Sequence, residues 1–91
     1  MCSAADGGGS IRIPAGYTGL VGMKGTYGRI PRGPSAYSRP NTEVYGCLAR
    51  SVRDTARHWD VCAGFDINDP WSLPSPGGWE AALGSHDLTG K

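Results

Sequence analysis

Three consecutive glycines, Gly7, Gly8 and Gly9, run into Ser10, and an apolar stretch carrying one arginine follows: DGGGSIRIPAG over residues 6–16. A serine hydroxyl is a weak nucleophile until a base takes its proton and donors receive the charge that grows on the attacked carbonyl oxygen. Consecutive glycines can adopt backbone angles that point successive N–H groups into one concavity. The four letters GGGS therefore admit two readings. One is a flexible Gly/Ser linker, the commoner case for those letters alone. The other is a turn that presents Ser10 beside its own oxyanion hole.

Other chemistry-bearing combinations are weaker. A Ser-His-Asp triad would need His58 or His86 next to Ser10, but the chain has no G-x-S-x-G elbow, and His58 falls in a helical stretch where a surface or capping role is expected. The stretch GLVGMKGT resembles a phosphate-binding loop only faintly, because Lys24 follows Met23 rather than a glycine. Cys2, Cys47 and Cys62 are odd in number and far apart, which fits neither a disulfide framework nor a C-x-x-C zinc site. Cys47 and Cys62 read as small buried apolar groups.

The letters after Ser10 separate the linker from the turn. DGGGSIRIPAGYTGLVGMKGTYGRIPR closely resembles the core of the amidase signature family, whose pattern is approximately D-x-G-G-S-I-R-x-P-A followed by G-L-x-G-L-K-P-T-x-G-R. The resemblance continues through GCLARSVRDTARHWDVCAGFDINDPWSLP, similar to the family's A-R-S/T-V-x-D helix opening and its D-P-x-S-L-P loop. It covers most of residues 4–76. Gly25 departs from it where proline is common, as do Tyr17 and Thr18 where an aromatic and a cysteine are frequent.

That resemblance implies an enzyme acting on C–N bonds of carboxylic amides through a Ser–cis-Ser–Lys triad and an acyl-enzyme. Ser10 matches the nucleophile. The N–H groups of Gly7, Gly8, Gly9 and Ser10 match the oxyanion loop, and Asp6 and Arg12 match polar residues that brace it. The family's lysine base and cis-serine lie well before the nucleophile. Only nine residues precede Ser10 here, none a lysine, and Ser3 is too close to serve. Lys24 matches a lysine downstream of the nucleophile and takes no catalytic role. The expectation is a stretch that holds the nucleophile without its activators and is inactive by itself. The partner implied is a small-molecule amide substrate, and the resemblance implies no metal and no organic cofactor. The alternatives are a truncated or assembly-dependent piece without catalysis, and a segment from one subunit of an amidotransferase.

The fold class implied is α/β: part of the amidase signature fold, a mixed sheet covered by helices, with an incomplete core. Within a partial amidase domain over 1–91, residues 1–10 read as a loop, and the first region, 1–30, as that nucleophile loop and a following strand. Gly16, Gly19, Gly22, Gly25 and Gly28 recur every third residue. Five triplets without proline at X and Y do not make collagen, and close backbone approach in a turn and strand is the better reading. Residues 31–48 read as a Pro-rich loop region. A helix is expected over 49–64: Ser51 with Asp54 three residues on is a capping-box-like start, Val52, Ala56, Trp59 and Ala63 share one face, and Gly64 is a natural stop. Residues 65–91 read as a loop with a short helix at WEAAL, 79–83, and Trp71 and Trp79 are expected to pack against it.

Composition limits the rest. The 91 residues suffice for one small domain at most. Leu, Ile, Val and Phe supply 14 of them, under the roughly one-fifth typical of folded chains, while the net charge is only +1. Exposed strand edges and self-association are therefore expected. A near-neutral chain without basic runs gives no sign of nucleic-acid binding. No apolar stretch approaches 18 residues, and MCSAADGGGS has neither the basic nor the apolar part of a secretory signal, so a cytoplasmic setting is expected.

Overall fold

The computed structural model describes residues 1–34, 41–84 and 89. Their elements, in chain order, are β1 (Cys2–Asp6), α1 (Arg12–Thr18), β2 (Val21–Gly22), β3 (Val44–Ala49) and α2 (Val52–Cys62). The three strands form one sheet in the order β1-β3-β2, antiparallel throughout. Cys2 pairs with Leu48 and Asp6 with Val44 on one side of β3, and Val21 pairs with Ala49 on the other. The architecture is the α/β class expected, with helices beside a sheet whose three described strands are antiparallel.

The central strand, VYGCLA, combines a β-branched residue, an aromatic and small side chains, and five of its six residues are buried. It occupies ground assigned above to the Pro-rich loop region, of which 35–40 lie outside the described residues. β1 likewise stands where a loop was expected. Its small side chains, Cys2, Ser3, Ala4 and Ala5, carry little propensity, and long-range pairing to β3 is what makes it a strand.

The stretch after Ser10 is the larger correction. In place of a turn leading into an extended strand, Arg12–Thr18 forms a helix, and only Val21–Gly22 is strand. Pro14 sits in the first turn, where a missing N–H breaks no helical bond. Gly19 caps the other end at φ +68, and the Leu20 N–H closes on the Ala15 carbonyl at 3.0 Å. Ile11, Ala15 and Leu48 make a buried cluster, with Ala4 and Leu20 packed against it, so α1 covers the sheet.

α2 begins as its sequence suggests. The Ser51 hydroxyl accepts from the Asp54 N–H at 3.1 Å and donates to the Asp54 carboxylate at 2.8 Å. The helix runs to Cys62, and Gly64 follows its Ala63 cap at φ +151. Thr55, Ala56, His58 and Trp59 form its buried face. Val52, placed above on that face, is 58% exposed, and His58, expected at the surface, is buried. Trp59 lies over Gly25, where any Cβ would overlap the indole ring. The segment 79–83 is a turn rather than a helix, closed by the Ala82 N–H on the Gly78 carbonyl at 3.0 Å. Trp79 stacks edge-to-face on Trp59 with ring centres 6.1 Å apart, and Trp71 does so on Tyr27 at 6.5 Å.

Candidate active site

The turn between β1 and α1 is built around one carboxylate. Asp6 ends β1 and is fully buried. Its Oδ1 accepts from the Gly9 N–H at 2.8 Å, and its Oδ2 accepts from the N–H groups of Ile11 and Arg12, each at 3.2 Å. The Arg12 guanidinium returns over the same group, with Nε 3.0 Å from Oδ2 and Nη2 3.0 Å from Oδ1. The two-point geometry suits the planar fork of arginine. Charge-assisted bonds favour the ionised acid, and the Arg12 side chain, aided by the N–H groups of Arg12, Ile11 and Gly9, holds the Asp6 carboxyl far below the usual carboxylate range despite burial.

Lys24 adds a second tie. Its Nζ donates to the Asp6 carbonyl and to the Thr42 carbonyl, each at 2.6 Å, and lies 3.6 Å from Asp6 Oδ1. The ammonium thereby joins the end of β1 to the approach to β3. Its distance along the chain from both partners left no spacing signal by which to foresee this.

Between these anchors the chain folds tightly. Gly9 has φ +122, in the region that favours glycine, and a Cβ there would come within 2.6 Å of the Ile13 side chain. The Gly9 carbonyl accepts from Ile13 N–H at 2.7 Å, which starts α1. Ser10 sits between Gly9 and Ile11, both tied to Asp6, and is itself exposed. Gly7 and Gly8 are exposed beside it. Because the Gly9 N–H is taken up by Asp6, it differs from the expectation that all four loop N–H groups face one oxyanion.

Among the described residues, neither a lysine amine nor an imidazole hydrogen-bonds the Ser10 hydroxyl. Lys24 is engaged by carbonyls. His58 pairs with Cys62 on α2, at 3.4 Å between Nδ1 and Sγ, and lines a cavity whose walls do not include Ser10. His86 lies outside the described residues. No group of three or more His, Cys, Asp or Glu side chains that could hold a metal occurs among the described residues, and no helix there is long and apolar enough to cross a membrane. What the geometry offers is an exposed hydroxyl on a turn whose flanking N–H groups are fixed by a buried, ionised aspartate.

Comparison with known proteins adds the following. The amidase family model matches residues 1–88. The A subunit of the glutamyl-tRNA(Gln) amidotransferase from Sphingopyxis alaskensis is 47% identical over 95 residues, spanning the whole of this chain and 19% of that protein. The protein of the same description from Rhodopseudomonas palustris is 45% identical over 83 residues, 90% of this chain and 17% of its own length. A crystal structure of a bacterial aryl acylamidase belonging to the amidase signature enzymes superposes with a TM-score of 0.68 at 43% identity, over 79% of this chain and 15% of that one. The chain thus spans less than a fifth of the length of these relatives.

Proposed function

The chain belongs to the amidase signature family, and from that membership we propose that Ser10 is the acyl-accepting nucleophile of an amide hydrolase. The observation that supports this reading is the grip of Asp6 on the N–H groups of Gly9, Ile11 and Arg12 while Ser10 stays exposed between them. Ser10 Oγ attacks the carbonyl carbon of a small-molecule amide. The oxyanion is received by the N–H groups of Gly7, Gly8 and Ser10, the Gly9 N–H being committed to Asp6. Collapse of the tetrahedral species expels an amine or ammonia and leaves an acyl-serine, which water hydrolyses. Asp6 and Arg12 act as positioning residues, since they keep the turn in shape without reaching the substrate. The setting is the cytoplasm, in keeping with three cysteines that are all free thiols.

On this reading the proton of Ser10 is taken by a lysine relayed through a second serine, both supplied from outside these residues. General-base help of that kind is worth roughly 10²–10⁴-fold. The 91-residue chain by itself therefore shows no amidase activity above background, and its open strand edges favour self-association. A second reading has its own support. The relatives compared above include amidotransferase A subunits, in which case the ammonia released passes to an acceptor rather than to solvent.

The test is a chimera in which residues 1–91 replace the matching stretch of the Sphingopyxis relative. A serine-directed fluorophosphonate should label Ser10, located by mass spectrometry of the modified peptide, and Ser10→Ala should abolish labelling and amide turnover with the circular dichroism spectrum unchanged. Labelling at another serine, with Ser10→Ala still active, removes Ser10 from the nucleophile's role.

A further inference from the structure

A second reactive group lies apart from the Ser10 turn. His58 and Cys62 stand one helical turn apart on α2, with Nδ1 and Sγ 3.4 Å from each other. The i, i+4 spacing puts both side chains on the same face. Both line an open cavity of about 380 Å³, shared with Ser3, Ala4 and Ala5 of β1, Tyr45 and Gly46 of β3, and Ile30. None of those residues is a lysine, arginine, aspartate or glutamate, so among the described residues the cavity wall carries no such charged side chain beside the pair. His58 is 8% exposed, and its Nε2 is buried with no hydrogen-bond partner among the described residues, an arrangement native interiors seldom leave unexplained. Cys62 is half-buried, on the cavity wall.

We propose that Cys62, with His58 as its proton acceptor, is a covalent modification site for small apolar Michael acceptors, compounds in which a carbonyl is conjugated to a carbon–carbon double bond. The cavity accepts the apolar body of such a molecule. The thiol proton moves to His58 Nδ1 as sulfur bonds to the β-carbon. The π pair of the double bond shifts to the α-carbon, which then takes the proton back from the imidazole. The product is a thioether; nothing leaves, and no oxidant or reductant is required. Burial holds the His58 imidazole below its ordinary protonation range, so the proton-accepting form is present at neutral pH. Two other cysteines serve as internal references. Cys2 is exposed on β1, and Cys47 is 1% exposed on β3, where burial pushes its thiol up and out of reaction. The ionisable side chains near the pair on the neighbouring strand β3 are Tyr45, on the cavity wall, and Cys47.

The experiment treats the 91-residue chain with N-ethylmaleimide at pH 6, where free thiols are mostly protonated, and follows each cysteine by mass spectrometry. Cys62 should react on the order of 10² times faster than in the His58→Asn variant, the scale of general-base assistance. It should outpace Cys2, with Cys47 silent. Emergence of Cys47 reactivity in the variant would reveal unfolding. A second measurement without any substitution covers that case: the rate with N-ethylmaleimide relative to anionic iodoacetate should be larger at Cys62 than at Cys2. Equal ratios at the two sites, or a Cys62 rate unchanged in a His58→Asn chain whose Cys47 stays silent, overturns the proposal.

Discussion

Of the turns held by aspartates in this molecule, those at Asp6 and Asp60 are held differently. Asp6 is fully buried, faces Arg12 and Lys24, and fixes three N–H groups of the Ser10 turn. Asp60, half-buried on α2, accepts from the N–H groups of Trp79 and Glu80, each at 2.9 Å, and that attachment also has the Trp59–Trp79 stack and an exposed pairing of Arg57 to Glu80. The first turn is specified by a buried charge that accepts no substitute geometry. The second joins one aromatic contact to half-buried and exposed polar ones. A turn that must present one side chain in one place gains from the first device, since directional bonds fix position where apolar contact fixes only proximity.

Substitutions tell the two turns apart. Trp59→Ala should cost the most, about 3–5 kcal/mol in a denaturant melt, because it empties the space over Gly25 and removes the partner of Trp79. Asp6→Ala should cost about 2–4 kcal/mol by the same measurement, since the buried N–H groups of Gly9 and Ile11 lose their acceptor. It should also release the Ser10 turn, seen as faster amide hydrogen exchange at Gly9 and Ile11, whereas Trp59→Ala leaves those amides protected. Equal exchange in the two variants would erase the distinction between the turns.

The pH dependence follows from the same carboxylate. Asp6 has a folded-state pKa far below its unfolded value, so the unfolded chain binds the proton first. Its contribution is therefore complete above about pH 4 and falls as the pH drops below that value. Asp60 and Glu80 are lowered too, Asp60 chiefly by the Glu80 N–H and Glu80 chiefly by the Arg57 side chain, and they add in the same direction. Asp6→Asn should flatten the acid limb of a stability-against-pH curve more than Asp60→Asn does. Asp60→Ala should lower the melting temperature less than Asp6→Ala and raise exchange only at residues 79 and 80. Glu80→Gln should be smallest, since exposed ion pairs contribute little and salt screens them.

Local signals found α2 and its cap because everything needed lies within four residues: Ser51 and Asp54 satisfy each other, and Ala56 and Trp59 repeat at helical spacing. They also flagged the turn before Ser10. They missed β1, whose Ser-Ala-Ala run is strand only through register with Tyr45, Gly46 and Cys47. They misassigned α1, because Gly16 and Gly19 within the period-three pattern mask a short helix; Pro14 in the first turn and Gly19 at the cap were its available marks. Gly25, by contrast, did mark close approach, to the Trp59 ring. At the site, Asp6, Arg12 and Ser10 could be named from family pattern. The commitment of the Gly9 N–H to Asp6 and the Lys24 bridge to Thr42 could not, because both depend on distances that no spacing encodes.

The strand order also has a bearing on synthesis. β3, the middle of the sheet, is the last of its strands to be made, and among the described residues both neighbours pair with it alone. While a ribosome is still adding residues ahead of Ala49, β1 and β2 have no template, and Asp6 gathers its donors on a strand that is not yet anchored. Cys2 must wait for Leu48 and Val21 for Ala49. Pairings so far apart in sequence close late and slowly. The Ser10 turn is thus translated before the strand that completes its surroundings, an interval in which nascent-chain chaperones have access to it.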